Sequence, residues 1–169
     1  MSLGTAHSIF VVLKPTAAVT AASAFQMLLG RANITRPEVL LSLGSLTGEV
    51  ANERLTWCAI DTAAAGAVFG RSQNTEDIPA AAKRIALVYA GGAAAQECYY
   101  DGVSKTFTAH SYGQFSTTHS PVSYGRIFAR GNGTAFCAVT LCELIMVLGI
   151  VSSQTIQNID EYFSTKWGF

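Results

Sequence analysis

The sequence predicts an all-α fold: a helical bundle of about five to six helices, with a long Ser/Thr/Tyr-rich loop or short hairpin near 103–130. Three observations predict it. Apolar residues recur every three to four positions through much of the chain. Proline, a capping box and glycine punctuate these segments as helix starts and stops. Alanine is abundant inside them, and alanine is the best helix former.

The elements follow in order. A first helix is expected over 16–29, preceded by Pro15 and stopped by Gly30. Thr35-Arg36-Pro37-Glu38 has the form of a capping box with proline in the first turn, and opens a short helix ending near Gly44. Thr47 or Gly48 starts a third helix running to about Phe69. Val50, Trp57, Ala64 and Val68 share one face of it, with Ile60 beside them. After a polar break at 70–74, a fourth helix begins at 75–79 with acids in its first turn, where the helix dipole favours them. Ile78, Ala81, Ile85, Val88, Ala95 and Tyr99 continue its apolar face until Asp101-Gly102 ends it. No helical period appears over 103–130. A fifth helix is expected over 134–149. Ser152 or Ser153 caps a sixth, with Ile156, Ile159, Phe163 and Trp167 inside and Asp160 and Glu161 outside. Residues 1–169 read as a single helical domain, with an N-terminal arm at 1–15 and a long loop at 103–133.

Half of the 169 residues are apolar and 13% are charged, against roughly 25% charged in an average protein. A disordered or collagen-like chain is excluded. So little charge favours a protein that buries much of its surface against neighbours. Eleven basic and eleven acidic residues cancel, so the net field steers neither nucleic acid nor membrane. The layout is uneven: no acid precedes Glu38 and none lies between 102 and 142.

That second stretch carries Lys105, Arg126 and Arg130, and a near-repeat in which Ser111-Tyr112-Gly113 is echoed by Ser123-Tyr124-Gly125. Interleaved tyrosines and cations can stack bases and neutralise phosphates. Lys105, Arg126, Arg130, Tyr112 and Tyr124 are therefore the candidate nucleic-acid or anion-binding residues. Asp61 and Glu143 sit within apolar runs and need partners if buried. Arg84, Arg126 or Arg130 could supply an ion pair.

No G-x-S-x-G elbow, Walker loop or dinucleotide fingerprint occurs, so no catalytic residue is assigned. All three histidines fall outside the expected helices and none lies in ExxH or HExxH. No metal or cofactor is expected. Cys58, Cys98, Cys137 and Cys142 form no CxxC and are expected to be buried reduced thiols. The stretch 134–151 carries one charge, Glu143, and reaches the lower limit of a membrane span. It is read as a core helix. The apolar run at 8–13 lacks the basic flank of a signal peptide, so the expected location is the cytoplasm or a virion.

These readings point to a self-assembling structural subunit, most concretely a helical coat or capsid protein packaging single-stranded RNA. Its expected partners are further copies of itself and single-stranded nucleic acid. The alternatives are a small helical enzyme or ligand-binding domain built around Asp61 or Glu143, and a membrane-embedded subunit.

Overall fold

β-Strands dominate the computed structural model, which describes residues 2–3, 6–20, 23, 26–31, 39–44, 54–58, 71–89, 96–106, 108–110, 122–127 and 137–169. The strands are β1 (Ser2–Leu3), β2 (His7–Pro15), β3 (Gln26–Arg31), β4 (Val39–Leu43), β5 (Leu55–Cys58) and β6 (Arg71–Asn74). They continue as β7 (Lys83–Tyr89), β8 (Gln96–Tyr100), β9 (Val103–Lys105), β10 (Thr108–His110), β11 (Val122–Ile127) and β12 (Val139–Leu148). One helix, α1 (Ser153–Trp167), follows.

The strands form two antiparallel sheets. One runs β1-β11-β3-β4-β5-β6-β10 and the other β12-β2-β7-β8-β9. They pack face to face. Leu28, Leu29, Leu41, Leu43, Leu55 and Trp57 from the first sheet meet Ile9, Val11, Leu13, Ile85, Leu87, Tyr89, Cys98 and Tyr100 from the second. At the centre, the His7 and Trp57 rings lie edge to face at 5.6 Å, and Trp57 meets Tyr89 at 6.3 Å. α1 covers the outer face of the five-stranded sheet. There a second cluster joins Phe10, Val12, Ala86 and Val88 to Ile156 and Phe163.

The expected helical bundle is thus overturned, and the reason is physical. A strand buried on one face alternates apolar and polar residues, but a strand buried on both faces is an unbroken apolar run. β2 is such a strand: Ile9, Val11 and Leu13 face the other sheet while Phe10 and Val12 face α1. The segment expected to be an arm is therefore a strand flanked by β12 and β7. β12 likewise packs on both faces, so residues 139–148 of the fifth helix expected over 134–149 form a strand, while 134–136 lie outside the described residues. The expected first helix gives way to bends at 16–17, a bridge between Val19 and Ile78, and β3, with 21–22 and 24–25 outside the described residues. The expected second helix contains β4, and the third contains β5, although most of that span and the capping box lie outside the described residues.

The expected fourth helix divides into β7 and β8, paired antiparallel from Ile85↔Tyr100 to Tyr89↔Gln96. Asp101-Gly102, read as a helix stop, is a two-residue hairpin turn between β8 and β9. Tyr100 pairs with Val103, and both turn residues have positive φ, 50° and 76°, the pattern of a type I′ turn. The expected loop contributes β9, β10 and β11. The sixth helix matches its expected start: the Ser152 hydroxyl accepts from the Thr155 N–H, and Gly168 closes α1 in the left-handed conformation.

Among the described residues, no helix is long and apolar enough to cross a membrane.

Candidate functional site

While the Arg54–Asp77 and Lys105–Glu76 pairs lie elsewhere, two polar clusters form along α1. On its inner side, Arg84 of β7 reaches Asp160: Nε lies 2.8 Å from Oδ1 and Nη2 lies 3.3 Å from Oδ2. Nη1 donates to the Phe169 backbone oxygen. Beside it, Asp101 accepts from Lys83 Nζ at 2.6 Å and from the Arg84 N–H at 3.0 Å. Gly102 is required here twice over. Its φ is positive, and a Cβ would stand 2.9 Å from Asp160 Oδ2. The seam between Arg84, Tyr99, Ile156, Asp160 and Phe163 leaves a gap of only about 10 Å³, the least that holds one water. It is a helix-docking seam.

Farther along α1, Glu143 of β12 accepts three hydrogen bonds. Tyr162 Oη donates at 3.1 Å, Lys166 Nζ at 3.0 Å and Trp167 Nε1 at 3.0 Å. Burial raises the carboxyl pKa, but the bonds from Lys166, Trp167 and Tyr162 outweigh it and hold Glu143 below the ordinary carboxylate value. Lys166 also donates to Tyr162 Oη at 2.7 Å while lying 5.1 Å from the ring centre. Those distances place the ammonium beyond the hydroxyl rather than over the ring face. The Tyr162 ring is therefore fixed through its hydroxyl and stays 44% exposed. It borders a shallow depression with Asn158, Glu161, Thr165 and Lys166. A fixed, exposed aromatic ring beside amide, hydroxyl, carboxylate and ammonium groups can stack on an apolar ligand face and hydrogen-bond its rim.

The Glu143 contact should depend on pH. A carboxyl whose folded pKa is depressed contributes stability that is present above its unfolded value and is lost as pH falls through the folded one. Below the ordinary carboxylate range, the end of α1 should loosen and Trp167 fluorescence should change. Glu143→Gln should flatten that acid dependence. An unchanged acid profile in the variant would remove Glu143 from this role. At the alkaline end the contact fades as Lys166 deprotonates, above its ordinary ammonium value because the Tyr162 and Glu143 hydrogen bonds raise its pKa.

On the seven-stranded sheet, Ser42 and Thr56 pair across β4 and β5 on the alternation opposite to Leu41, Leu43, Leu55 and Trp57. Both are nevertheless fully buried. Ser42 Oγ finds no hydrogen-bond partner among the described residues.

The structure separates several residues that the sequence grouped. Lys105 is on β9 and pairs with Glu76 at 2.8 Å. Tyr124 and Arg126 are on β11 of the other sheet, in register with Arg31 and Gly30. Tyr112, Arg130 and Asp61 lie outside the described residues. Of the ion-pair candidates, Arg84 takes Asp160 and Glu143 takes Lys166. Asp160, expected on the outer side of the sixth helix, is thus a seam residue. Sequence reasoning missed Tyr162, Lys166 and the hydrogen-bonding role of Trp167. The i, i+4 spacing of Tyr162 and Lys166 was the available signal. Among the described residues no group of three His, Cys, Asp or Glu side chains could hold a metal.

No protein-family model matches the sequence, and no curated protein matches it. Solved structures do resemble the fold. A sialidase of Trypanosoma rangeli aligns at a TM-score of 0.51 with 14% identity, covering 95% of this chain and 23% of that one. The NanB sialidase of Streptococcus pneumoniae aligns at 0.50 with 9% identity, covering 92% and 24%. The CBM40 of a Ruminococcus gnavus IT-sialidase aligns at 0.49 with 13% identity, covering 92% and 82%. This chain spans about a quarter of the length of the two full sialidases. At these identities the likeness to the two sialidases shows a shared β-sandwich fold. Together with the two antiparallel sheets, it overturns the expected helical, RNA-packaging coat protein and the capsid and virion readings that went with it.

Proposed function

We infer that this chain is a β-sandwich carbohydrate-binding module. The observation that carries the reading is the fold: nearly the whole chain superposes on about a quarter of each of two sialidases, proteins named for acting on sialylated sugars. The depression beside Tyr162 supplies suitable chemistry. Sugars offer an apolar C–H face and a rim of hydroxyls. A fixed aromatic ring bordered by Asn158, Glu161, Thr165 and Lys166 answers both.

Titration calorimetry with sialylated and neutral oligosaccharides tests this. The purified chain should bind at least one of them, and Tyr162→Ala should weaken binding at least about tenfold, roughly 1.4 kcal/mol. Absence of binding across the panel would sink the reading. Full affinity in the folded Tyr162→Ala protein would move the site away from α1.

A further inference from the structure

Edge strands present unpaired backbone groups, and proteins usually protect them by keeping them short or charged. Among the described residues, three of the four sheet edges here follow that rule: β1 has two residues, β10 three and β9 three. β12 does not. It has ten residues, and Glu143 is the one charged side chain on it. That charge is held against α1 by Lys166, Trp167 and Tyr162, so it does not guard the edge.

Among the described residues no strand pairs with the far side of β12, and the exposure pattern agrees with an open edge. β2, one position inward, is buried at every residue except Lys14, whereas every residue of β12 remains partly exposed or exposed. Leu148 is 66% exposed and Ile150, just beyond it, 62%.

We propose that β12 pairs antiparallel with β12 of a second copy of this chain, joining two five-stranded sheets across a two-fold axis. The occupant follows from the strand's own pattern. The bulge between Leu141 and Glu143 breaks the register of the first half and leaves 144–148 regular. Leu144 and Met146 pack toward the sandwich core, while Ile145 and Val147 pack toward α1. A two-fold axis at Met146 sets Leu144 against Leu148 of the other copy and Ile145 against its Val147. Residues related this way have the same parity, so each meets an apolar residue on its own face. No like charges meet, because 144–148 carries none. The pairing also brings the exposed Leu148 into contact with apolar surface, in keeping with a chain of only 13% charged residues.

Light scattering on the purified full chain tests this. The expected mass at micromolar concentration is twice 17.9 kDa. Leu148→Lys should raise the dimer dissociation constant at least about tenfold, with the far-UV circular dichroism unchanged. Ile127→Lys, on an exposed position of the other sheet, should leave the dimer intact. In the wild-type protein, amide exchange at 144–148 should slow as concentration rises. A wild-type monomer would overturn the proposal. So would a dimer disrupted by Ile127→Lys but not by Leu148→Lys, or exchange at 144–148 that is independent of concentration.

Discussion

Trp57→Ala should destabilise the protein by about 3–5 kcal/mol, the range for emptying a large aromatic site in a packed core. Trp57 is fully buried at the meeting of the two sheets, with the His7 and Tyr89 rings against it. Leu29, Leu41, Leu43 and Leu55 sit on paired strands of the same sheet, and moving them would break ladder hydrogen bonds. A domain of this size has about 5–15 kcal/mol of net stability, so the loss is a large share of the total. Urea titration should show the midpoint fall, with Trp57→Phe in between. A loss under about 1 kcal/mol would mean that the centre of the sandwich can collapse onto the vacancy.

Arg84→Ala should cost about 2–3 kcal/mol and act on α1 in particular. The guanidinium makes a forked contact to Asp160 and a third bond to the Phe169 backbone oxygen. Hydrogen bonds to charged groups contribute about 1.5–3 kcal/mol each in favourable settings. The side chains of Arg84 and Asp160 are 15% and 21% exposed, so solvent screening reduces the sum. Removing the arginine leaves Asp160 unpaired against Gly102 and the apolar residues beneath the helix. Arg84→Lys should recover only part of the loss, because an ammonium cannot reproduce the fork. Amide exchange across 153–167, in a double-mutant cycle with Asp160→Ala, isolates the pair. Exchange in α1 no faster than in the strands would show that the apolar contacts of Ile156 and Phe163 alone hold the helix.

Legibility in the sequence followed how many faces each element buries. α1 buries one stripe. Ser152, Ile156 and Phe163 announced it, and the structure confirms its cap and buried side chains. Leu41-Ser42-Leu43 and Leu55-Thr56-Trp57 alternate apolar and polar residues in sequence, yet Ser42 and Thr56 are as fully buried as their neighbours, and strands of five and four residues are too short for a period to stand out. β2 and β7 bury both faces, and β12 packs on both while staying partly exposed, so all three lose alternation. A continuous apolar run read as helix is the natural error there, because periodicity does not distinguish the two. Alanine-rich composition reinforced it, and tertiary pairing overrode that local preference. The hairpin signal Asp101-Gly102 was visible and was assigned to a helix end. Of the candidate site, Glu143 was legible as an acid in an apolar run. Its partners were not, since Tyr162, Lys166 and Trp167 reach it only after α1 folds back over β12.

The position of β2 also has a consequence in time. His7 to Leu13 pair with β7 on one side, and with Leu148 back to Leu141 on the other. β2 is synthesised before either of the strands that flank it. Its first neighbour emerges some seventy residues later, and its second after well over a hundred. Until β7 emerges this intensely apolar strand has neither ladder in place, and until β12 emerges it has only one. Such long-range pairing slows folding and leaves nascent chains prone to misassociation. Efficient production should therefore respond to chaperone supply and to translation speed between positions 90 and 150 more than to changes in α1, which is local and closes quickly.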